Sequence, residues 1–181
     1  EKPMVLAMKK SFHGINSWGY ITDRYSTTAN RMENFPSNDW KNLEVDELID
    51  YLENTADPNL VAVVIEPIQC TAGDIYIDPN KLKRIQDLCK NLDVAFILDE
   101  IQTGFGATGS MWYYEKIGLD PDLLVFGKKS QVCGVVASEK YKECIVGPNM
   151  KLHVTFDGEL IDAIRAQYIL KTYKEGNLIE R

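Results

Sequence analysis

Histidine is nearly absent from this chain: His13 and His153 are the only two in 181 residues. Cysteine is sparse as well, and Cys70, Cys89, Cys133 and Cys144 are widely spaced, with no C-x-x-C pair. A structural zinc site draws on clustered Cys and His ligands, so this composition argues against one. Scattered thiols point instead to reduced cysteines in a cytoplasmic protein. No apolar run approaches the roughly 18 residues that a bilayer-spanning helix needs. The apolar Met4–Met8 stretch is too short for the core of a secretory signal. Positive charge is the minority: 20 Lys and Arg against 27 Asp and Glu give a net charge of −7. That balance speaks against nonspecific binding to nucleic acid or an acidic membrane. Internal repeats, low-complexity tracts and linkers are also missing.

What remains is an ordinary globular composition, 45% apolar and 26% charged, long enough for one domain with a proper core. Met4–Met8 reads as a short buried strand. The segment from Ser11 to Asn42 is polar, aromatic and irregular, and reads as a long functional loop. Val45, Leu48, Ile49 and Leu52 recur at helical spacing. Leu60–Ile65 is a continuous, largely β-branched run, the pattern of a strand covered on both faces. Asp78–Pro79 is a helix start, with a capping oxygen followed by proline at the first helical position. Leu82, Ile85, Leu88, Cys89 and Leu92 then form one apolar stripe. Val94–Leu98 is the next strand. Leu60 to Leu98 is therefore strand, helix, strand, which predicts a right-handed parallel βαβ unit. A short helix is expected within Met111–Ile117, strands at Leu123–Phe126 and Val132–Ala137, and a long helix with a broad apolar face from Leu160 to near Arg181. The fold class is α/β, a mostly parallel sheet with helices on both faces.

Asp99 and Lys128 each sit just past an apolar run. That places an acid and an amine at the carboxyl ends of two strands, the edge where an open α/β sheet binds its ligands. Such a pair suits pyridoxal phosphate (PLP): an amine for a Schiff base and an anion for the pyridinium nitrogen. Each residue also has a plainer reading. Asp99 alone could cap a turn, although five apolar residues before it favour a buried carboxylate in need of a partner. Lys128 and Lys129 alone are a strand-end pair reaching for solvent. Gly104–Phe105–Gly106–Ala107–Thr108–Gly109 has the spacing of a dinucleotide fingerprint, but the acid and glutamine between strand and glycines are wrong for it. A turn-forming loop near a ligand is the better reading. Thr155 precedes a helix, where a hydroxyl is a cap or a phosphate ligand.

In order and spacing, four segments resemble the class III, fold type I PLP-dependent aminotransferases. They are Ser11–Phe12–His13–Gly14, Ile65–Glu66–Pro67–Ile68–Gln69, the run from Leu98 to Gly109, and Asp122–Leu123–Leu124–Val125–Phe126–Gly127–Lys128–Lys129. Phe126–Gly134 and Phe35–Trp40 are most similar to the L-lysine 6-aminotransferase branch, with the 4-aminobutyrate aminotransferases next. The resemblance implies roles. Lys128 would hold PLP as the internal aldimine and move a proton between substrate carbon and cofactor. Asp99 would keep the ring nitrogen protonated. Phe12, with the adjoining His13, and Ile101 would cover the two ring faces, and Gln102 would bond the phenolic oxygen. Thr155 would bind the phosphate of a neighbouring subunit's cofactor, implying a homodimer. The substrates would be a small amino donor with a terminal amine and a 2-oxo acid. By the same resemblance, residues 1–181 would be the central part of the large PLP-binding domain, without the N-terminal segment and the C-terminal small domain.

Asp157 stands where the family usually has glycine, and on the substrate side two positions depart from the pattern. Ile15 stands where these branches carry an arginine for a substrate carboxylate, and isoleucine cannot pair with one. Thr71 stands where they carry a glutamate that gates a second arginine. The cofactor side is kept while the substrate side is changed. A racemase or aminomutase on the same scaffold, or a non-catalytic remnant of the fold, is the alternative.

Overall fold

The computed structural model describes residues 2–14, 19, 40–147 and 158–181. These fall into two compact units, Glu1–Asp99 and Glu100–Arg181.

The first unit carries strands β1 (Met4–Met8), β2 (Lys41–Leu43), β3 (Leu60–Ile65) and β6 (Ala95–Asp99) in the order β2-β1-β3-β6. All of these neighbours run parallel. Helix α1 (Val45–Asn54) follows β2, and helix α2 (Pro79–Leu92) links β3 to β6. Between β3 and α2 lies a small antiparallel hairpin, β4 (Ile68–Gln69) and β5 (Ile75–Tyr76). The expected βαβ unit is present, with Ala62 opposite Ala95 and Ile65 opposite Leu98.

Local chemistry explains the helix ends. The Asp78 carboxylate accepts a hydrogen bond from the Asn80 amide at 2.9 Å, and Pro79 needs no donor partner in the first turn. Asp93 closes α2 in the left-handed region at φ 57°. Leu82, Ile85, Leu88 and Cys89 are buried, as are the sheet residues Leu6, Val63, Phe96 and Leu98, and all eight belong to the core. Two expectations need correction. Leu92, placed in the buried stripe, is 39% exposed because it is the last residue of the helix. Val61 is 47% exposed, so β3 is not covered along its whole length.

The second unit carries α3 (Tyr113–Ile117), β7 (Leu123–Phe126), β8 (Gly134–Ala137), α4 (Lys142–Val146) and α5 (Leu160–Gly176). Strands β7 and β8 pair antiparallel, Leu123 opposite Ala137 and Phe126 opposite Gly134. The long C-terminal helix is present but ends at Gly176 and does not run on toward Arg181. Asn177 adopts φ 48° and caps it through its amide to the Tyr173 carbonyl. No residue of α5 is buried, and the apolar Leu160, Ile161 and Tyr168 are exposed. The strands of the chain are mostly parallel and accompanied by helices, as the α/β reading expects.

Candidate functional site

In the first unit the site is built from the ends of strands. β1 stops at Met8, and the chain turns through Lys10 at φ 66° into a fully buried Ser11. Two residues past the end of β3 fix the segment from Lys9 to Phe12. The Glu66 carboxylate accepts a 2.7 Å hydrogen bond from the Phe12 amide. The Gln69 amide donates to the Lys9 carbonyl at 2.8 Å and to Ser11 Oγ at 3.3 Å. Glu66, Gln69 and Ser11 are themselves buried. The Glu-Pro-Ile-Gln segment is thus a cradle for the Ser-Phe-His-Gly segment, a relation the sequence left unassigned.

The cradle delivers His13 to Asp99. His13 Nδ1 lies 2.9 Å from Asp99 Oδ2, and both side chains are more than nine-tenths buried. An ionised carboxylate only accepts, so Nδ1 is the donor in that state. His13 Nε2 is buried without a hydrogen-bond partner among the described residues. Asp99, the last residue of β6, is therefore the partly buried carboxylate its position predicts, and His13 is a partner that the sequence reading did not assign to it. Phe12 and Thr71 are half-buried in this unit, Thr71 within the turn that joins β4 to β5.

The second unit opens on another buried acid. Glu100 Oε2 accepts from the Tyr113 amide at 2.7 Å and from Thr103 Oγ1 at 3.0 Å, and Oε1 accepts from the Tyr114 amide at 2.8 Å. It thereby caps the start of α3 and closes the turn containing Ile101 and Gln102, both half-buried. Burial pushes the Glu100 carboxyl above its usual range, against the pull of those three donors. The glycine run is a turn and not a strand-to-helix phosphate loop: Phe105, Gly106 and Gly109 all have positive φ, and the next helix starts only at Tyr113. Gly104 leaves room for the Trp112 ring, which a Cβ there would meet at 2.6 Å. Phe105 packs edge-on against Trp112 and Tyr173, and Tyr173 donates its hydroxyl to the Phe105 carbonyl at 3.0 Å.

Lys128 begins a single 3-10 turn, Lys128–Ser130, directly after β7. Its φ is 53°, its side chain is exposed, and its amine has no hydrogen-bond or ion-pair partner among the described residues. Its neighbour differs: Lys129 Nζ donates to the Gln102 carbonyl at 2.5 Å. The structure thus joins His13 to Asp99 in one unit, and the Gln102 peptide to the Lys128 turn in the other. Ile15 and Thr155 lie outside the described residues. Among those that are described, no group of three or more metal-ligating side chains occurs, none of the four cysteines is in a disulfide, and no helix is long and apolar enough to cross a membrane.

Residues 1–181 match the aminotransferase class-III family along their whole length, and the chain belongs to that family. It is similar to the L-lysine-epsilon aminotransferase of Amycolatopsis lactamdurans, 32% identical over 97% of this chain and 44% of that protein. It is also similar to the 4-aminobutyrate aminotransferase of Schizosaccharomyces pombe, 35% identical over 75% of this chain and 28% of that protein. Among solved structures, the lysine aminotransferase from M. tuberculosis in its internal aldimine form superposes with a TM-score of 0.87 at 29% identity, over 98% of this chain and 45% of that one. The chain spans less than half the length of these relatives.

Proposed function

We propose that the protein is a PLP-dependent aminotransferase that moves the terminal amine of a small, lysine-like amino acid to a 2-oxo acid, working as a cytoplasmic homodimer. The observation that carries this reading is the contrast between two ionisable side chains. Asp99 is a buried carboxylate held by a ring nitrogen, and Lys128 is an exposed amine engaged by nothing described. These are the donor set the cofactor requires: a fixed anion and an available primary amine. PLP, when bound, supplies an aldehyde for that amine and a ring that accepts electrons from the substrate carbon.

The chain's own residues do the rest. Asp99 holds a proton on the ring nitrogen, and a carboxylate kept from water does so more firmly than one in solvent. His13 orients that carboxylate through Oδ2. Lys128 Nζ would hold the cofactor, and its free amine would be the base that carries a proton from and to the substrate carbon. Gln102 would hold the ring's phenolic oxygen, Ile101 and Phe12 would cover its faces, and Thr155 would bind the phosphate of a partner subunit's cofactor. Ile15 and Thr71 remove the two charged groups that the lysine and 4-aminobutyrate branches place on the substrate side. They favour a donor or acceptor bound with less help from arginine.

Borohydride reduction of the PLP-treated protein, followed by peptide mapping, tests the reading. A pyridoxyl group on Lys128 is expected, together with conversion to the pyridoxamine form by amino donor alone. Absence of any adduct would sink it. An adduct at Lys128 without that conversion would favour a racemase or aminomutase.

A further inference from the structure

The two adjacent lysines are chemically alike, yet the fold gives them different surroundings. Lys128 has an exposed amine without a described partner. Lys129 is half-buried, and its amine reaches 27 residues back in sequence to the Gln102 carbonyl. The Lys129 amine is committed to the half-buried Gln102 carbonyl while that of Lys128 is engaged by nothing described, so Lys128 is the more accessible of the two. Lys129 is a strut between the turn that carries Lys128 and the turn that carries Gln102.

The turn needs such a strut. Lys128 at φ 53° and Gln131 at φ 59° both occupy the left-handed region, which side chains with a Cβ disfavour. Conformations of this kind persist when surrounding bonds over-determine them. Two sets of bonds act within the turn: the Lys128 carbonyl accepts from the Gln131 amide at 3.0 Å and from Gln131 Nε2 at 3.2 Å, and Ser130 Oγ donates to the Val132 carbonyl at 2.6 Å. They fix its shape, and the pairing of Phe126 with Gly134 anchors its two ends. The Lys129 bond leaves the turn and ties it to the peptide of Gln102.

We propose that Lys129 is a positioning residue. Its amine sets the distance between the Lys128 backbone and the Gln102 peptide, and so keeps in register the amine and the amide that would hold the cofactor. This rests on the aminotransferase reading.

The test uses apoprotein of the wild type, Lys129→Met and Lys129→Arg, titrated with PLP and then trapped with borohydride. Losing a hydrogen bond from a charged donor predicts about tenfold or greater weakening of PLP binding in Lys129→Met, with the adduct still on Lys128. Arginine keeps a charged donor, and Lys129→Arg is expected to bind within about threefold of the wild type. PLP binding by a folded Lys129→Met equal to wild type would overturn the proposal. So would a folded Lys129→Arg as weak as Lys129→Met, or an adduct on Lys129 in the wild type. Should Lys129→Met fail to fold, Lys129→Arg decides alone: near-wild-type affinity supports the strut, and tenfold loss overturns it. A wild type that forms no adduct defeats the aminotransferase reading and this proposal with it. An adduct on Lys128 with affinity indifferent to residue 129 defeats only the strut.

Discussion

His13 Nδ1 and Asp99 Oδ2 stand 2.9 Å apart although their residues are 86 positions apart in the chain. The bond closes the parallel layer from β1 to β6 at its carboxyl edge. It exists because Glu66 and Gln69 fix the segment that carries the imidazole.

Removing the imidazole donor should expose how much that bond contributes. His13→Phe preserves a ring and deletes Nδ1, removing one hydrogen-bond donor from a buried carboxylate. A loss of about 2–4 kcal/mol in unfolding free energy is expected. His13→Asn, whose side-chain amide can approach the position of Nδ1, should recover part of it. Urea denaturation of the three proteins measures this, and a His13→Phe variant within about 0.5 kcal/mol of wild type would contradict it.

Glu100 makes a pH-dependent prediction. Its folded pKa is raised, chiefly by burial, above the ordinary value of 4.5. A raised carboxyl pKa means the folded state binds the proton more tightly than the unfolded chain. The resulting stability is fully present below the unfolded pKa and is lost as pH rises through the folded one. Glu100→Gln abolishes this titration. It also puts an amide nitrogen where one of two accepting oxygens stood, leaving the Tyr113 or Tyr114 amide without its acceptor at a cost of about 1–3 kcal/mol. The deficit of Glu100→Gln should therefore be greatest in acid and shrink as pH rises from 4.5. Paired denaturation curves across that range give the answer, and a deficit that grows with pH would refute the assignment.

Gly104 is fixed by space. A Cβ would lie 2.6 Å from the Trp112 ring and 2.9 Å from the Glu100 carbonyl. The ring could tilt, but the carbonyl belongs to the turn itself. Gly104→Ala should cost about 1–3 kcal/mol and shift the tryptophan fluorescence. An unchanged emission maximum with wild-type stability would show that the turn relaxes at no cost.

Much of the first unit was legible in the sequence because its signals are local. The β-branched run at Leu60–Ile65, the Asp78–Pro79 start and the stripe from Leu82 to Cys89 each declare an element within a few residues. Asp99 and Lys128 were legible as strand-end residues for the same reason. The Glu66 cradle and the His13–Asp99 bond were not, because tertiary pairing of distant polar groups leaves no periodic trace. Lys129 is the harder case. Its acceptor is a backbone carbonyl, which every residue possesses, so no pattern of side chains could point to Gln102. The end of α5 was within reach: Gly176–Asn177 is a left-handed stop, and the apolar residues upstream outweighed it.

Gly127 sits at an extended φ of 173°, so backbone freedom does not require a glycine there. A Cβ there would lie 2.7 Å from the sulfur of Cys133, an exposed side chain that can turn aside. Positions 127 and 133 are therefore coupled through a side-chain rotation and not through the backbone. An alanine before Lys128 should be accommodated by turning that thiol outward, and the cost of the change at 127 should depend on which residue stands at 133, so the two effects should not add.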